Sequence, residues 1–187
     1  MKIFFSPSNQ LCILLLSFSI NCFSQTQSYQ RDINATQISA GLPGSHHFKI
    51  PEPEGFVNDF EHLFTPEQVK TLDSTIIAVH NKTSVQIAII TIDSMMVNKN
   101  QLEDFTKETF ISWGLQVNGQ FNGILIGLSN KYKKLRIENG SGVEQALTDY
   151  EVQGIVENAF MSYLKENKYF EGTINGLAAI MNKLKEK

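Results

Sequence analysis

Two short apolar runs constrain this chain most. Val85 to Ile92 is a continuous stretch rich in β-branched residues, too short for a long helix, and Ile124 to Leu128 is a second. Runs of this length without polar alternation are the pattern of central strands covered on both faces. Between them, Gln101 to Trp113 carries Leu102, Phe105, Phe110 and Trp113 at helical spacing, with Gly114 as a stop. Strand, helix, strand implies a parallel pair with a right-handed crossover.

The flanking segments complete the architecture. Thr65-Pro66-Glu67-Gln68 is a helix start with Thr as N-cap, Pro at the first helical position and Gln closing a capping box. Val69, Leu72, Ile76 and Val79 give that helix its buried stripe, ending near Asn81. Asn130-Lys131 reads as a hairpin turn, bringing Leu135–Ile137 back antiparallel beside the Ile124 strand. Thr148-Asp149-Tyr150-Glu151 is a second capping box, opening a helix through Ile155, Ala159, Phe160 and Tyr163. A last helix covers about Phe170 to Lys185. These elements predict an α/β fold, a three-layer α/β/α sandwich around a small mixed sheet, over residues 55–187.

The beginning of the chain has a different character. Lys2 precedes the apolar run Leu11–Ile20, small or polar residues follow, and Ser24-Gln25 is a cleavage point, the order of a secretory signal peptide over residues 1–24. The run is too short for a membrane span. Export to the periplasm or the extracellular space is therefore expected, with no stable membrane span after processing. Both cysteines, Cys12 and Cys22, would leave with the leader. The processed chain would carry 15 Lys+Arg against 19 Asp+Glu, a net charge of −4, which argues against nucleic acid as a partner. Residues 25–54, rich in polar residues, Gly and Pro, read as a flexible linker; His46-His47 within it is read as polar filler.

The stretch Arg136 to Asp149 carries most of the chemistry: an apolar strand, then a loop with Gly140, Gly142, Glu138 and Glu144, then the helix start at Thr148-Asp149. Its glycines can turn tightly and present N–H groups, and its carboxylates are hard oxygen donors of the calcium or magnesium type. Topology brings this loop to the edge where Asn122-Gly123 enters its strand. The opposite edge holds Asp93, Ser94 and Ser129-Asn130, where open α/β sheets usually place ligands. The first edge is preferred for its glycines and acids, and Asp59 joins whichever edge the Phe56–Phe60 segment reaches.

In order and spacing, these pieces resemble the TPM domain, a family named after thylakoid-lumen, photosystem repair and acetylcholine-receptor modulator proteins. The matching pieces are Val57-Asn58-Asp59-Phe60 with Leu63 and Thr65-Pro66-Glu67, the Val85–Ile92 strand, Trp113-Gly114-Leu115, Asn122-Gly123-Ile124-Leu125-Ile126, and Arg136-Ile137-Glu138 through Asp149. The resemblance implies an α/β/α sandwich outside the cytoplasm. A plant relative is reported as an acid phosphatase, and some bacterial relatives bind calcium. Carried over by position, the functional acids are Asp59, Glu144 and Asp149, beside the Asn139-Gly140-Ser141-Gly142 backbone. The expected metal ligands are Asp59, Glu144, Asp149 and Asn122, with calcium ahead of magnesium, and the catalytic candidates are Asp59 and Asp149. Phe121, Ser141 and Asn139 depart from the residues usual in relatives. Two functions follow as expectations: a calcium-binding accessory module that docks an envelope protein or peptide, or a metal-dependent phosphatase acting on small phosphate esters.

Overall fold

The computed structural model describes residues 48–115 and 121–186. The leader read over 1–24 and the linker as far as residue 47, including His46 and His47, lie outside the described residues.

The two apolar runs become β2 (Gln86–Thr91) and β3 (Gly123–Ser129), paired in parallel with Ile87 opposite Ile124 and Thr91 opposite Leu128. β4 (Lys134–Asn139) returns antiparallel to β3, with Ile124 opposite Asn139. A further strand, β1 (Val57–Asp59), pairs in parallel with β2, so the sheet order is β1-β2-β3-β4. β1 is three residues long, and only Val57 is apolar, so periodicity does not reveal it. Its pairing is fixed by Asn58, 2% exposed, whose amide donates to the carbonyls of Gly55 (3.0 Å) and Ile89 (3.3 Å) and whose Oδ1 accepts from Glu54 N (2.7 Å).

Helices cover both faces. α1 (Pro66–Thr83) starts with the capping box formed by Thr65 and Gln68 and ends at Ser84 in the left-handed region. With α5 (Tyr169–Lys185) it packs on the face of Ile87, Ile89, Ile124, Ile126 and Ile137. α2 (Leu102–Ser112), entered through a 3-10 turn at Lys99–Gln101 and stopped by Gly114 at φ +56°, covers Ala88, Ile90 and Leu125 on the other face. The predicted three-layer sandwich is therefore present. Between β4 and α5 the chain forms α3 (Asp149–Ile155), a π-helical segment (Val156–Phe160) and α4 (Met161–Lys165). The π segment carries Phe160 against Gly176, where a Cβ would sit 1.9 Å from its ring.

Two local features differ from the sequence reading. The hairpin loop is four residues, Asn130–Lys133, with Lys133 at φ +51°, rather than a two-residue turn. Residues 48–54, read as the end of the linker, lie on the α2 face: Phe48 meets Phe105 edge-on at 5.4 Å, and Trp113 Nε1 donates to the Pro51 carbonyl at 2.7 Å.

Candidate functional site

The sheet register separates two rims. At the amino-terminal ends of β2 and β3, the loop leaving β4 is laced to the segment entering β3. Gly140 N donates to Gly123 O (2.9 Å), Gly142 N to Phe121 O (3.1 Å), and Gln86 N to Asn122 O (3.0 Å). The contact is so close that a Cβ on Gly140 would lie 1.9 Å from the Phe121 carbonyl oxygen, and one on Gly142 would lie 1.7 Å from Asn122 Oδ1. At Gly140, where the neighbour is backbone, only glycine allows this approach. Asn139 Nδ2 donates to Leu147 O (2.8 Å), holding the start of α3 beside the end of β4, and Val143 and Leu147 are buried anchors. Asn122, Asn139, Gly140, Ser141, Gly142 and Asp149 are thus gathered at one rim, with Glu144 exposed on the same loop between the anchors.

The chemistry of this rim is narrower than its composition. The N–H groups of Gly140, Gly142 and Val143 all donate inward, the last to Gly140 O at 2.8 Å, so three of the four from Gly140 to Val143 are engaged. A phosphate cradle needs several directed outward. Asp149 occupies the first position of α3 after the Thr148 cap, and Glu151 closes the capping box. Arg136 in β4 pairs with Glu138 at 2.7 Å and Glu103 at 3.3 Å. Burial works against its charge, but the Glu138 hydrogen bond, with the charges of Glu138, Glu103 and Asp149, holds its pKa above the ordinary value.

Asp59 lies elsewhere. It ends β1 opposite Thr91, at the carboxyl-terminal ends of the parallel strands, whereas Asn139 ends β4 opposite Ile124. The levels of Leu128 and Ile124 differ by four residues, about 13 Å along the strand, and β1 and β4 are the two outer strands, about 14 Å apart across the sheet. The backbone positions are thus separated by roughly 20 Å diagonally. The Asp59 carboxylate is also engaged. Oδ1 accepts from Leu63 N (3.0 Å) and Thr91 Oγ1 (2.8 Å), and Oδ2 from Phe64 N (2.8 Å). These bonds fold the β1–α1 loop into a tight turn that places His62 at φ +53°.

Glu61 and Thr91 at this second rim did not stand out from the sequence. Thr91 is fully buried, and its hydroxyl accepts from Glu61 N (2.8 Å) while donating to Asp59. Glu61 accepts from the N–H groups of Asn130 (2.7 Å) and Lys131 (3.2 Å), tying β1 to the hairpin. Its pKa is raised by burial, with the charges of Asp93 and Asp59 adding, against the pull of those two N–H groups. A threonine closing a strand that is apolar from Ile87 to Ile90 was the available signal. Across the hairpin, Lys133 Nζ donates to Asn130 Oδ1 (2.7 Å), Asn167 Oδ1 (2.6 Å) and Tyr169 OH (2.8 Å).

Against a divalent cation, the four expected ligands divide. Asn122, Glu144 and Asp149 supply hard oxygens from one rim and its loop. Asp59 does not fit with them, being at the other rim with three hydrogen bonds of its own. Among the described residues, no group of three or more His, Cys, Asp or Glu is arranged to hold a metal ion. Two cavities, of about 320 Å³ beside Phe48 and Met96 and about 550 Å³ between α3 and α5, are lined by neither Asp59, Glu144 nor Asp149.

A four-stranded mixed sheet between two helical layers, with a glycine-bearing β4–α3 loop laced to the start of β3, defines the class of domain. Residues 57–183 match the TPM domain, and the chain belongs to that family. Among solved structures, it is similar to the N-terminal domain of a P. gingivalis protein, at 26% identity and a TM-score of 0.63, covering 70% of this chain and 82% of that one. It is also similar in fold to the BA42 protein of the psychrophilic bacterium Bizionia argentinensis, at 20% identity and a TM-score of 0.56, covering 68% and 85%. A third is the N-terminal domain of the cg2496 protein of Corynebacterium glutamicum, at 16% identity and a TM-score of 0.54, covering 75% and 84%. No curated protein matches the chain. No helix among the described residues is long and apolar enough to cross a membrane.

Proposed function

We propose that this TPM domain is an exported accessory module of the cell envelope, which docks a protein or peptide partner and takes up calcium at the amino-terminal rim. Asn122, Glu144 and Asp149 would hold the cation, without Asp59. Exposed carboxylates on a loop suit calcium, which accepts variable oxygen geometry, better than magnesium, which demands a near-ideal octahedron. The apolar run Leu11–Ile20 behind Lys2 supports export.

The observation favouring a binding module over a phosphatase is the separation of Asp59 from the end of β4, beside which Asn139 holds the start of α3 and hence Asp149. Phosphoryl transfer needs its nucleophile or base and its charge-stabilising groups around one phosphorus atom. Carboxylates on opposite rims cannot both reach it, and Asp59 is occupied as a backbone acceptor. Calcium would instead bridge the β4–α3 loop to the β3 entry, stabilising the folded state through mass action.

The test is thermal unfolding of the purified protein with calcium, with magnesium and with EDTA, beside turnover of a chromogenic phosphate ester. The expected result is a melting temperature raised by calcium, less by magnesium, with the calcium effect lost in Asp149→Asn and kept in Asp59→Asn, and no ester hydrolysis. Hydrolysis abolished by both substitutions would replace this reading with the phosphatase. No response to calcium would remove the cation from it.

A further inference from the structure

β4 is an outer strand of the sheet, packed against β3 and α2. The ladder fixes which way its backbone points. Gly140 N donates to Gly123 O, so the residues in step with Gly140 (Glu138, Arg136 and Lys134) exchange hydrogen bonds with β3. The alternate residues, Leu135, Ile137 and Asn139, direct their N–H and C=O groups away from it. Among the described residues, none of these backbone groups has a hydrogen-bond partner. An edge that the described residues leave open in this way is a template for another strand, and natural sheets control it with charge.

The charges on β4 select what can pair with it. Two antiparallel copies related by a two-fold axis can meet only in registers that set outward residues opposite outward residues. With the axis at Arg136, two arginines face each other. With the axis at Glu138, two glutamates do. With the axis at Ile137, Arg136 of each copy stands opposite Glu138 of the other. Directly opposed unlike charges stabilise a strand pair, and like charges destabilise it. Ile137 would pair with its own counterpart, and Leu135 with Asn139 of the second copy.

We propose that the outer edge of β4 is a self-association surface, at which two copies of this chain join their sheets antiparallel about Ile137, with Arg136 and Glu138 setting the register. The proposal goes beyond the cation reading and does not depend on it. An eight-stranded sheet would continue through the pair, and the two amino-terminal rims would lie on opposite sides of the dyad.

Sedimentation over a wide dilution range, with circular dichroism as a check on folding, tests it. The protein should show a concentration-dependent dimer. Arg136→Glu or Glu138→Arg alone sets two like-charge pairs across the axis and should weaken the dimer about tenfold or more. The double reversal, Arg136→Glu with Glu138→Arg, restores unlike pairs and should recover it. Independently of any variant, hydrogen exchange at the amides of Leu135, Ile137 and Asn139 should slow as concentration rises, while the amides of Arg136 and Glu138 stay protected throughout. A protein monomeric up to its solubility limit overturns the proposal. So does a dimer indifferent to both single reversals, or one whose formation leaves those three amides unchanged.

Discussion

Replacing Asp59 by alanine should destabilise the domain without touching the rim that carries Asn122 and Asp149. The substitution removes the acceptor for Leu63 N, Phe64 N and Thr91 Oγ1, three hydrogen bonds of 2.8–3.0 Å. Hydrogen bonds to a charged group contribute about 1.5–3 kcal/mol each. Asp59 is partly exposed, so water can satisfy some of the freed donors and the three do not add in full. A net loss of about 3 kcal/mol is the expectation, because Phe64 is buried and Thr91 is fully so. At about 4 °C per kcal/mol for a domain of this size, the melting temperature should fall by roughly 12 °C. Asp59→Asn keeps an acceptor at the Oδ1 position but points an amide at Phe64 N, and should cost about half as much. Calorimetry or denaturant melts of the three proteins measure this directly. A melting temperature unchanged in Asp59→Ala would refute the clamp and return Asp59 to a functional role.

Other substitutions probe the contacts at both rims. Thr91→Val keeps the volume but leaves Glu61 N without its acceptor, and should cost about 1–3 kcal/mol in denaturant unfolding; no loss would mean that the relay contributes nothing. Gly140→Ala forces a methyl group against the Phe121 carbonyl, which is backbone and cannot rotate away, and should cost about 1–3 kcal/mol, with chemical-shift changes at Asn122 and Gly123. Stability should also depend on pH through Glu61 and through Asp73 in α1, whose pKa values burial raises above 4.5 and 3.8. The folded state then binds these protons more tightly than the unfolded state. Their contribution to stability therefore grows as pH falls through the raised values and levels off below the ordinary ones. Glu61→Gln with Asp73→Asn should flatten that part of the stability profile, and an unaltered slope would contradict the assignment.

The elements that local chemistry specifies were legible in the sequence. Thr65, Pro66 and Gln68 mark the start of α1, Thr148 and Glu151 that of α3, and Gly114 the end of α2, each through contacts within a few residues. The apolar runs marked β2 and β3 because burial on both faces leaves no alternation. What escaped depends on distant partners. β1 is a strand because Asn58 reaches Ile89, 31 residues away, and residues 48–51 are docked because Pro51 meets Trp113, 62 residues away. The site divided for the same reason. The glycine loop and Asn122 were joined correctly by hairpin topology, but the rim of Asp59 follows from the parallel pairing of β1, which no spacing encodes. Gly140 and Gly142 suggest N–H donors to a ligand from sequence; in the fold both N–H groups donate to the segment entering β3, and Gly140 lies against the Phe121 backbone.

The independence of the two rims can be measured most directly by a double-mutant cycle of Asp59→Asn and Asp149→Asn, read in both unfolding free energy and calcium affinity. Sites this far apart without shared partners add within about 0.5 kcal/mol. Additive stabilities are expected, with calcium affinity lowered by the Asp149 change alone. A coupling above about 1 kcal/mol, or calcium binding lost equally on either substitution, would place both carboxylates in one functional unit and contradict it.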